Sequence, residues 1–123
     1  MTDTRVLNLA GLHRDAMALA ERADLARQQG NTIEAAKRYR EAFELESAAA
    51  QLLVDRFADE PSRSVLYRSA ATLALDIGEF RAAERLIATA LIGDPPDEIA
   101  EELRELFAQV NLAYHQQLRS NVG

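Results

Sequence analysis

The feature that most constrains the fold is a pattern of small and large residues that occurs twice along the chain, 48 positions apart. Gly30 aligns with Gly78, and residues on both sides of each glycine correspond. The aligned pairs are Leu19 with Tyr67, Ala23 with Ala71, Ala26 with Ala74, Ala35 with Ala83, Ala42 with Ala90 and Phe43 with Leu91. Spacings of three and four residues put the apolar positions on one helical face, and glycine favours the left-handed conformation that ends helices. The pattern predicts two helical hairpins.

The rest of the chain extends this all-α prediction to five helices in a single domain, 1–123. Only 6% of residues are aromatic and alanine and leucine dominate the apolar set, which favours helix over strand. Hairpin 1 is expected at about 11–58 and hairpin 2 at about 62–92, followed by a capping helix at about 95–117. Neither glycine nor proline occurs between Asn31 and Pro61, so we expect an extended second helix that continues to about residue 58.

Both units resemble the tetratricopeptide repeat, in which small residues flank a glycine turn between two helices. The second unit carries most of the motif, and the first unit has Arg22 and Ser47 where the family usually has leucine and proline. The matching residues are Tyr67, Ala71, Ala74, Gly78, Phe80, Ala83, Ala90 and Pro95 in the second unit, and Leu19, Ala23, Ala26, Gly30, Ala35, Tyr39 and Ala42 in the first. The resemblance implies a right-handed array of hairpins.

The chain departs from this family in two ways. The family repeats about every 34 residues, whereas the two units here are 48 positions apart. We expect the additional residues, between Leu45 and Pro61, to lengthen the second helix. Repeat arrays also need about three units to bury their faces, and this chain has two and a final helix. Self-association could supply the missing burial.

Composition excludes several classes of function. The chain has no cysteine, which rules out disulfides and thiolate chemistry, and a net charge of −6 opposes nonspecific binding to nucleic acid. The residues from Met1 to Ala10 do not resemble a signal peptide, and no apolar run reaches the roughly 18 residues of a membrane span. We expect a cytoplasmic protein with no membrane or nucleic-acid partner.

The sequence also shows no enzyme-like motif. His13 and His115 lack a second ligand at helical spacing, so surface or capping roles are favoured over metal binding. The carboxylate pairs Glu98 with Glu102 and Glu101 with Glu105 have the spacing of a solvated helix face. Phosphate-binding and dinucleotide motifs are absent. We expect no catalysis, cofactor, metal or small-molecule substrate; a small helical enzyme would need a convergent polar pocket that the sequence does not show.

Two charged regions remain to be interpreted. The basic residues Lys37, Arg38, Arg40, Arg56, Arg63 and Arg68 are expected to form salt bridges within the chain, with Glu41, Glu44 and Glu46 among the nearby acids. The segment 94–105 holds six acids and one arginine, which makes it the best candidate for an acidic surface that meets a basic partner.

If the family resemblance holds, the first helix of each unit lines the inner surface on which such proteins receive peptides. The residues carried over to that surface are Glu21, Asp24, Arg27 and Gln28 from the first unit, and Arg68, Ser69, Thr72 and Asp76 from the second. Asp24, Ala20 and Thr72 stand where the family's carboxylate clamp has basic and amide groups, so that clamp is not expected. The alternative is that these are ordinary solvated helix residues.

Two functional hypotheses remain open. The first is an adaptor or scaffold that binds a protein or peptide, with Leu52, Leu53 and Phe57 as further apolar contacts if they are uncovered. The second is a homodimeric assembly or chaperone-like subunit that associates through the same apolar extension of the second helix. The sequence does not identify the partner in either case.

Overall fold

The computed structural model describes residues 4–122, with side chains described over 8–121, and this part of the chain contains five helices and no strand. The helices are α1 (Thr4–Gln28), α2 (Thr32–Gln51), α3 (Ser62–Asp76), α4 (Phe80–Leu91) and α5 (Asp97–Val122). Each helix packs against the next along the chain, and α5 also contacts α3. The predicted all-α class is confirmed, and the arrangement is compatible with a helical repeat fold.

The two predicted turns have nearly the same backbone geometry. Gly30 has φ of 79° and Gly78 has φ of 76°. In each turn the amide after the glycine donates to the carbonyl four positions before the glycine, at 2.9 Å in the first and 2.8 Å in the second. Asn31 also caps α2, because its side chain accepts a hydrogen bond from the amide of Glu34 at 3.1 Å. The two units that repeat in the sequence therefore also have the same turn geometry in the structure.

Burial follows the same repeat. The four pairs of aligned alanines are all buried: Ala23 with Ala71, Ala26 with Ala74, Ala35 with Ala83 and Ala42 with Ala90. Alanine at these positions allows the paired helices to approach closely, while larger residues fill the space beside them. Tyr67 is buried, and its counterpart Leu19 is half-buried.

The expectation of a helix reaching residue 58 is wrong, because α2 ends at Gln51. Several amides between residues 52 and 59 donate to carbonyls three positions earlier instead of four. The carbonyls of Leu53 and Val54 accept hydrogen bonds from the guanidinium of Arg63 at 3.0 to 3.3 Å. The Leu53 carbonyl also accepts from the amide of Arg56 at 3.0 Å, so tighter turns replace the α-helix here, and Arg63 satisfies carbonyls just beyond the helix end. The additional residues between Leu45 and Pro61 therefore lie partly in α2 and partly in the turn after it. α2 has 20 residues, whereas its counterpart α4 has 12.

The outer helices are longer than expected. α1 begins at Thr4 and passes through Gly11, whereas the pattern indicated a start at about residue 11. Leu9, on this added part, and Leu12, just after it, pack against the core. α5 begins at Asp97, after the two prolines, and continues to Val122, past the expected end at about residue 117. Gly123 lies outside the described residues.

The hairpins share their core. One cluster is built from Ala23, Ala26, Ala35, Tyr39 and Ala42 of hairpin 1 together with Leu73, which belongs to α3. A second cluster joins the C-terminal end of α2 to α3, α4 and α5. Across the described residues, no helix is both long and apolar enough to cross a membrane.

Most of the basic cluster forms the predicted ion pairs. Arg38 contacts Glu34 at 2.8 Å and Glu41 at 3.1 Å, and Arg40 contacts Glu79 at 3.0 Å. Two further pairs are Arg56 with Asp59 at 3.0 Å and Arg68 with Glu102.

Two predicted roles in this cluster are wrong. Glu46 does not pair with the basic cluster; it is fully buried, and both of its carboxylate oxygens contact Nδ1 of His13, at 2.9 and 3.0 Å. Arg63 binds backbone carbonyls at the ends of two helices.

Candidate functional site

A small cavity lies where the glycine-turn ends of the two hairpins meet. Its volume is about 220 Å³, and its lining comes from the end of α1, the start of α2 and the end of α3. The lining residues are Arg27, Thr32, Ala35, Ala36, Tyr39 and Asp76. Arg27 and Asp76 are residues that the family resemblance assigned to a partner surface. They come from different hairpins, and the fold brings them to one cavity.

Tyr39 connects this cavity to Asp24. Its ring is buried, and its hydroxyl donates a hydrogen bond to Oδ1 of Asp24. Burial, and after it the hydrogen bond to Asp24, together raise the pKa of Tyr39 to about 12. The phenol therefore stays neutral at physiological pH, and it acts as a fixed donor that orients the aspartate.

Arg27 lies between the charges of the site. Its Nη2 donates to Oδ1 of Asp24 at 3.3 Å, and its guanidinium carbon is 5.5 Å from the centre of the Tyr39 ring. Both side chains of this ion pair are more than half exposed, at 61% for Arg27 and 51% for Asp24. Exposed pairs of this kind are weak, so an incoming group can displace Arg27 from Asp24 at little cost.

Asp76 is the least compensated charge at the site. None of the described residues donates a hydrogen bond to its carboxylate or forms an ion pair with it. Although much of the side chain is exposed, desolvation by the surrounding protein raises its pKa; Arg27 lowers this pKa and Asp24 raises it. With two carboxylates and one guanidinium, the site has an excess of negative charge. The arrangement suits the binding of a cationic group.

No protein-family model, curated protein or solved structure matches this chain. The resemblance to tetratricopeptide repeats therefore rests on the chain's own residues.

Other residues assigned to the partner surface do not join this cavity. Arg68 is held by Glu102 of α5, and the hydroxyl of Thr72 donates to the carbonyl of Arg68 at 3.0 Å. Ser69 is half-buried, while Glu21 and Gln28 are exposed on α1. The surface predicted from the resemblance is thus only partly available to a partner.

The apolar contacts predicted on the second helix do not form one exposed surface. Leu53 is 5% exposed and belongs to the core, which excludes it as a free contact. Leu52 is half-buried beside a cavity against α1, and Phe57 is 49% exposed with its ring 4.6 Å from the Arg63 guanidinium. The separation follows from the end of α2, because residues 52–58 do not continue its helical faces.

Sequence reasoning missed the role of Tyr39 at this site. Its position in the repeat indicated only a core aromatic, and the ring is indeed buried. The signal available in the sequence was the pairing of a hydroxyl-bearing aromatic on the second helix with Asp24 on the first. Among the described residues, no group of three or more histidines and acids is placed to hold a metal ion.

Proposed function

We propose that this protein is an adaptor or scaffold that binds a protein or peptide partner without catalysis. The observation that carries the proposal is the convergence of Asp24, Arg27 and Asp76, from two hairpins, beside one cavity. A partially desolvated carboxylate with no bonded partner in the described chain suits a lysine or arginine side chain of the partner. We expect the bound segment to be basic at this position.

We further infer that the two hairpins are tetratricopeptide-like units in a right-handed array, and that the protein works in the cytoplasm. The matched turns at Gly30 and Gly78 and the matched buried alanines support the first inference. The absence of cysteine supports the second, since proteins of oxidising compartments commonly use disulfides.

The test compares the wild-type protein with an Asp24→Asn, Asp76→Asn double variant in selections from a display library of short random peptides. Asparagine keeps an oxygen that can accept the Tyr39 hydrogen bond, so the double variant changes charge while retaining this contact. We expect the wild type to select lysine- or arginine-containing peptides, and the double variant to bind them at least tenfold more weakly. The wild-type affinity should also fall as salt concentration rises.

The matched control removes two negative charges elsewhere, through Asp15→Asn and Glu44→Gln on exposed positions of α1 and α2. This control should bind the selected peptides like the wild type. Equal binding by the Asp24, Asp76 variant, or a selection with no preference for basic residues, would refute this site. Affinity purification of the tagged wild type and both variants from the native host extends the same comparison to whole proteins.

A further inference from the structure

A second cavity, separate from the proposed peptide site, opens between α4 and α5. It has a volume of about 250 Å³ and its walls are largely apolar, formed by Ile87, Ala88 and Leu91 of α4 and Phe107 of α5. Glu84 and Arg104 complete its lining. We refer to these six residues as the α4–α5 groove.

Large apolar side chains at the end of α4 and along α5 are exposed. Phe107 is 44% exposed, and Ile92, which directly follows Leu91, is 75% exposed. Leu118, 42% exposed, lies on the same side of α5 as Phe107, because eleven residues make about three helical turns. Exposed apolar side chains beside an apolar groove are typical of sites of protein association.

The charges of the groove identify the partner that fits it. Glu84 lies on α4 and Arg104 lies on α5, and neither forms an ion pair or hydrogen bond with another described residue. A two-fold axis that runs along the groove, between α4 and α5, would place Glu84 of each copy opposite Arg104 of the other and so give two ion pairs across the interface. An interface between identical copies must be self-complementary in this way. A second copy of the chain meets this requirement with the same two residues, Glu84 and Arg104.

The length of α5 adds to this argument. α5 has 26 residues and α4 has 12, so α5 is roughly 20 Å longer at 1.5 Å per residue. Tyr114 meets Phe80 edge to face with ring centres 6.0 Å apart. It is the last half-buried residue of α5, and residues 115–121 are all exposed. Residues 115–121 therefore extend beyond the start of α4 as an exposed helical segment that is accessible to a second copy.

We propose that the α4–α5 groove is the interface of a two-fold symmetric homodimer. The interface differs from the one suggested by the sequence, which relied on Leu53, a residue of the core. It uses other residues than the cavity at Asp24 and Asp76. Dimerisation and peptide binding can therefore fail or succeed independently.

The test uses charge exchange, with mass in solution measured by light scattering and sedimentation. The wild type should have twice the chain mass of 13.6 kDa. Glu84→Arg and Arg104→Glu should each weaken the dimer at least tenfold, because each variant places like charges opposite one another. Mixed together, the two variants should form a heterodimer, since every pair across the axis is then opposite in sign. The double exchange in one chain should restore the homodimer.

Controls separate the interface from general charge effects. Glu44→Arg and Arg22→Glu make the same changes at exposed positions of hairpin 1, and they should leave the dimer intact. Circular dichroism melting of every variant confirms that it is folded. Phe107→Glu, at a partly exposed position, should give a folded monomer.

A wild type that stays monomeric at millimolar concentration overturns the proposal. So does a dimer that survives Phe107→Glu, or a mixture of the two charge variants that forms no heterodimer. If any of these three results accompanies normal peptide selection, the dimer proposal fails while the adaptor function stands.

Discussion

Arg63 shows how one residue can decide the path of the chain. Its side chain is fully buried, and its guanidinium donates to carbonyls at the ends of two helices. The accepting carbonyls belong to Leu53 and Val54 after α2, and to Thr89 and Ala90 in the last turn of α4. These helix ends carry partial negative charge, which suits a cation. Arg63 thus joins the two hairpins and binds carbonyls just after the end of α2.

Replacing Arg63 by methionine should lower the free energy of unfolding by about 3 kcal/mol, because the four carbonyls lose a charged donor and only those of Leu53 and Ala90 keep a hydrogen bond from a backbone amide. Arg63→Lys should recover less than half of that loss, since an ammonium group cannot span both helix ends as the guanidinium fork does. Urea denaturation of both variants measures the effect. Arg22→Met, at an exposed position of α1, is the control and should change stability by less than about 0.5 kcal/mol. A comparable result for Arg63→Met would contradict the assigned role.

Asp76 gives a pH-dependent prediction. Desolvation raises the pKa of its carboxyl in the folded protein above the ordinary value of 3.8. The folded state therefore binds this proton more readily than the unfolded state, so ionised Asp76 destabilises the fold at neutral pH. The cost disappears as pH falls through the folded pKa towards 3.8.

Asp76→Asn should accordingly raise the melting temperature at pH 7 by roughly 2 °C, a small shift because water screens this exposed side chain. The difference from the wild type should shrink as the pH is lowered towards the unfolded pKa. Thermal melts followed by circular dichroism across this range provide the measurement. A lower melting temperature at pH 7 would show that Asp76 stabilises the fold, which is the opposite of what a binding residue with an uncompensated charge predicts.

At the scale of helices and turns, the sequence predicted the helix ends that are set by residues close by in the chain. Gly30 and Gly78 were predicted to end helices, and both have the left-handed conformation. The end of α2 was not predictable in this way, since no residue from Leu52 to Glu60 is a helix breaker. The carbonyls just after it bind Arg63, which reaches them only after α3 has packed. Contacts between distant residues can override helix propensity.

The glycines provide a test of the repeat at this scale. Gly30→Ala and Gly78→Ala should each lower the free energy of unfolding by about 1 kcal/mol, because alanine is strained at positive φ. An added Cβ meets no atom within 4 Å at either position, so the backbone conformation is the main cost. Equal losses are expected from equivalent turns.

Gly11→Ala serves as the opposite case. Gly11 lies inside α1, and an added Cβ there would meet only the Arg14 side chain, at 3.8 Å. Alanine should stabilise this helix by roughly 0.5 to 1 kcal/mol. Urea denaturation of the three variants gives the comparison. A neutral Gly30→Ala or Gly78→Ala would mean that these turns do not need the left-handed conformation.

For the whole molecule, the sequence predicted the helices and part of the candidate site, but not how the hairpins are joined. Asp24, Arg27 and Asp76 were assigned to a partner surface from the family resemblance, through their positions on the first helix of each hairpin. The contact of buried Glu46 with the partly exposed His13, and the place of Leu73 in the core of hairpin 1, depend on how the helices pack. Such packing leaves no periodic signal in the sequence.

The shared packing leads to a last prediction, that the chain unfolds as one cooperative unit. Leu73 of α3 lies in the core of hairpin 1, and Arg40 of α2 pairs with Glu79 at the start of α4 at 3.0 Å. Removing either hairpin would therefore expose apolar surface in the other. Tyrosine fluorescence reports on α2, α3 and α5 through Tyr39, Tyr67 and Tyr114, and circular dichroism reports on all helices. The two signals should give one coincident transition in urea.

The substitution Leu73→Ala provides a second test of whether the two hairpins unfold together. The side chain is 5% exposed, so its truncation should cost about 2 to 5 kcal/mol. Because the residue belongs to one hairpin by sequence and to the core of the other by packing, the loss should move both signals to lower urea by the same amount. If the hairpins were independent, the transitions would separate and the variant would shift only one of them. Coincident shifts would mean that a partner bound at the cavity between the hairpins stabilises the entire fold, by an amount that grows with its concentration relative to Kd.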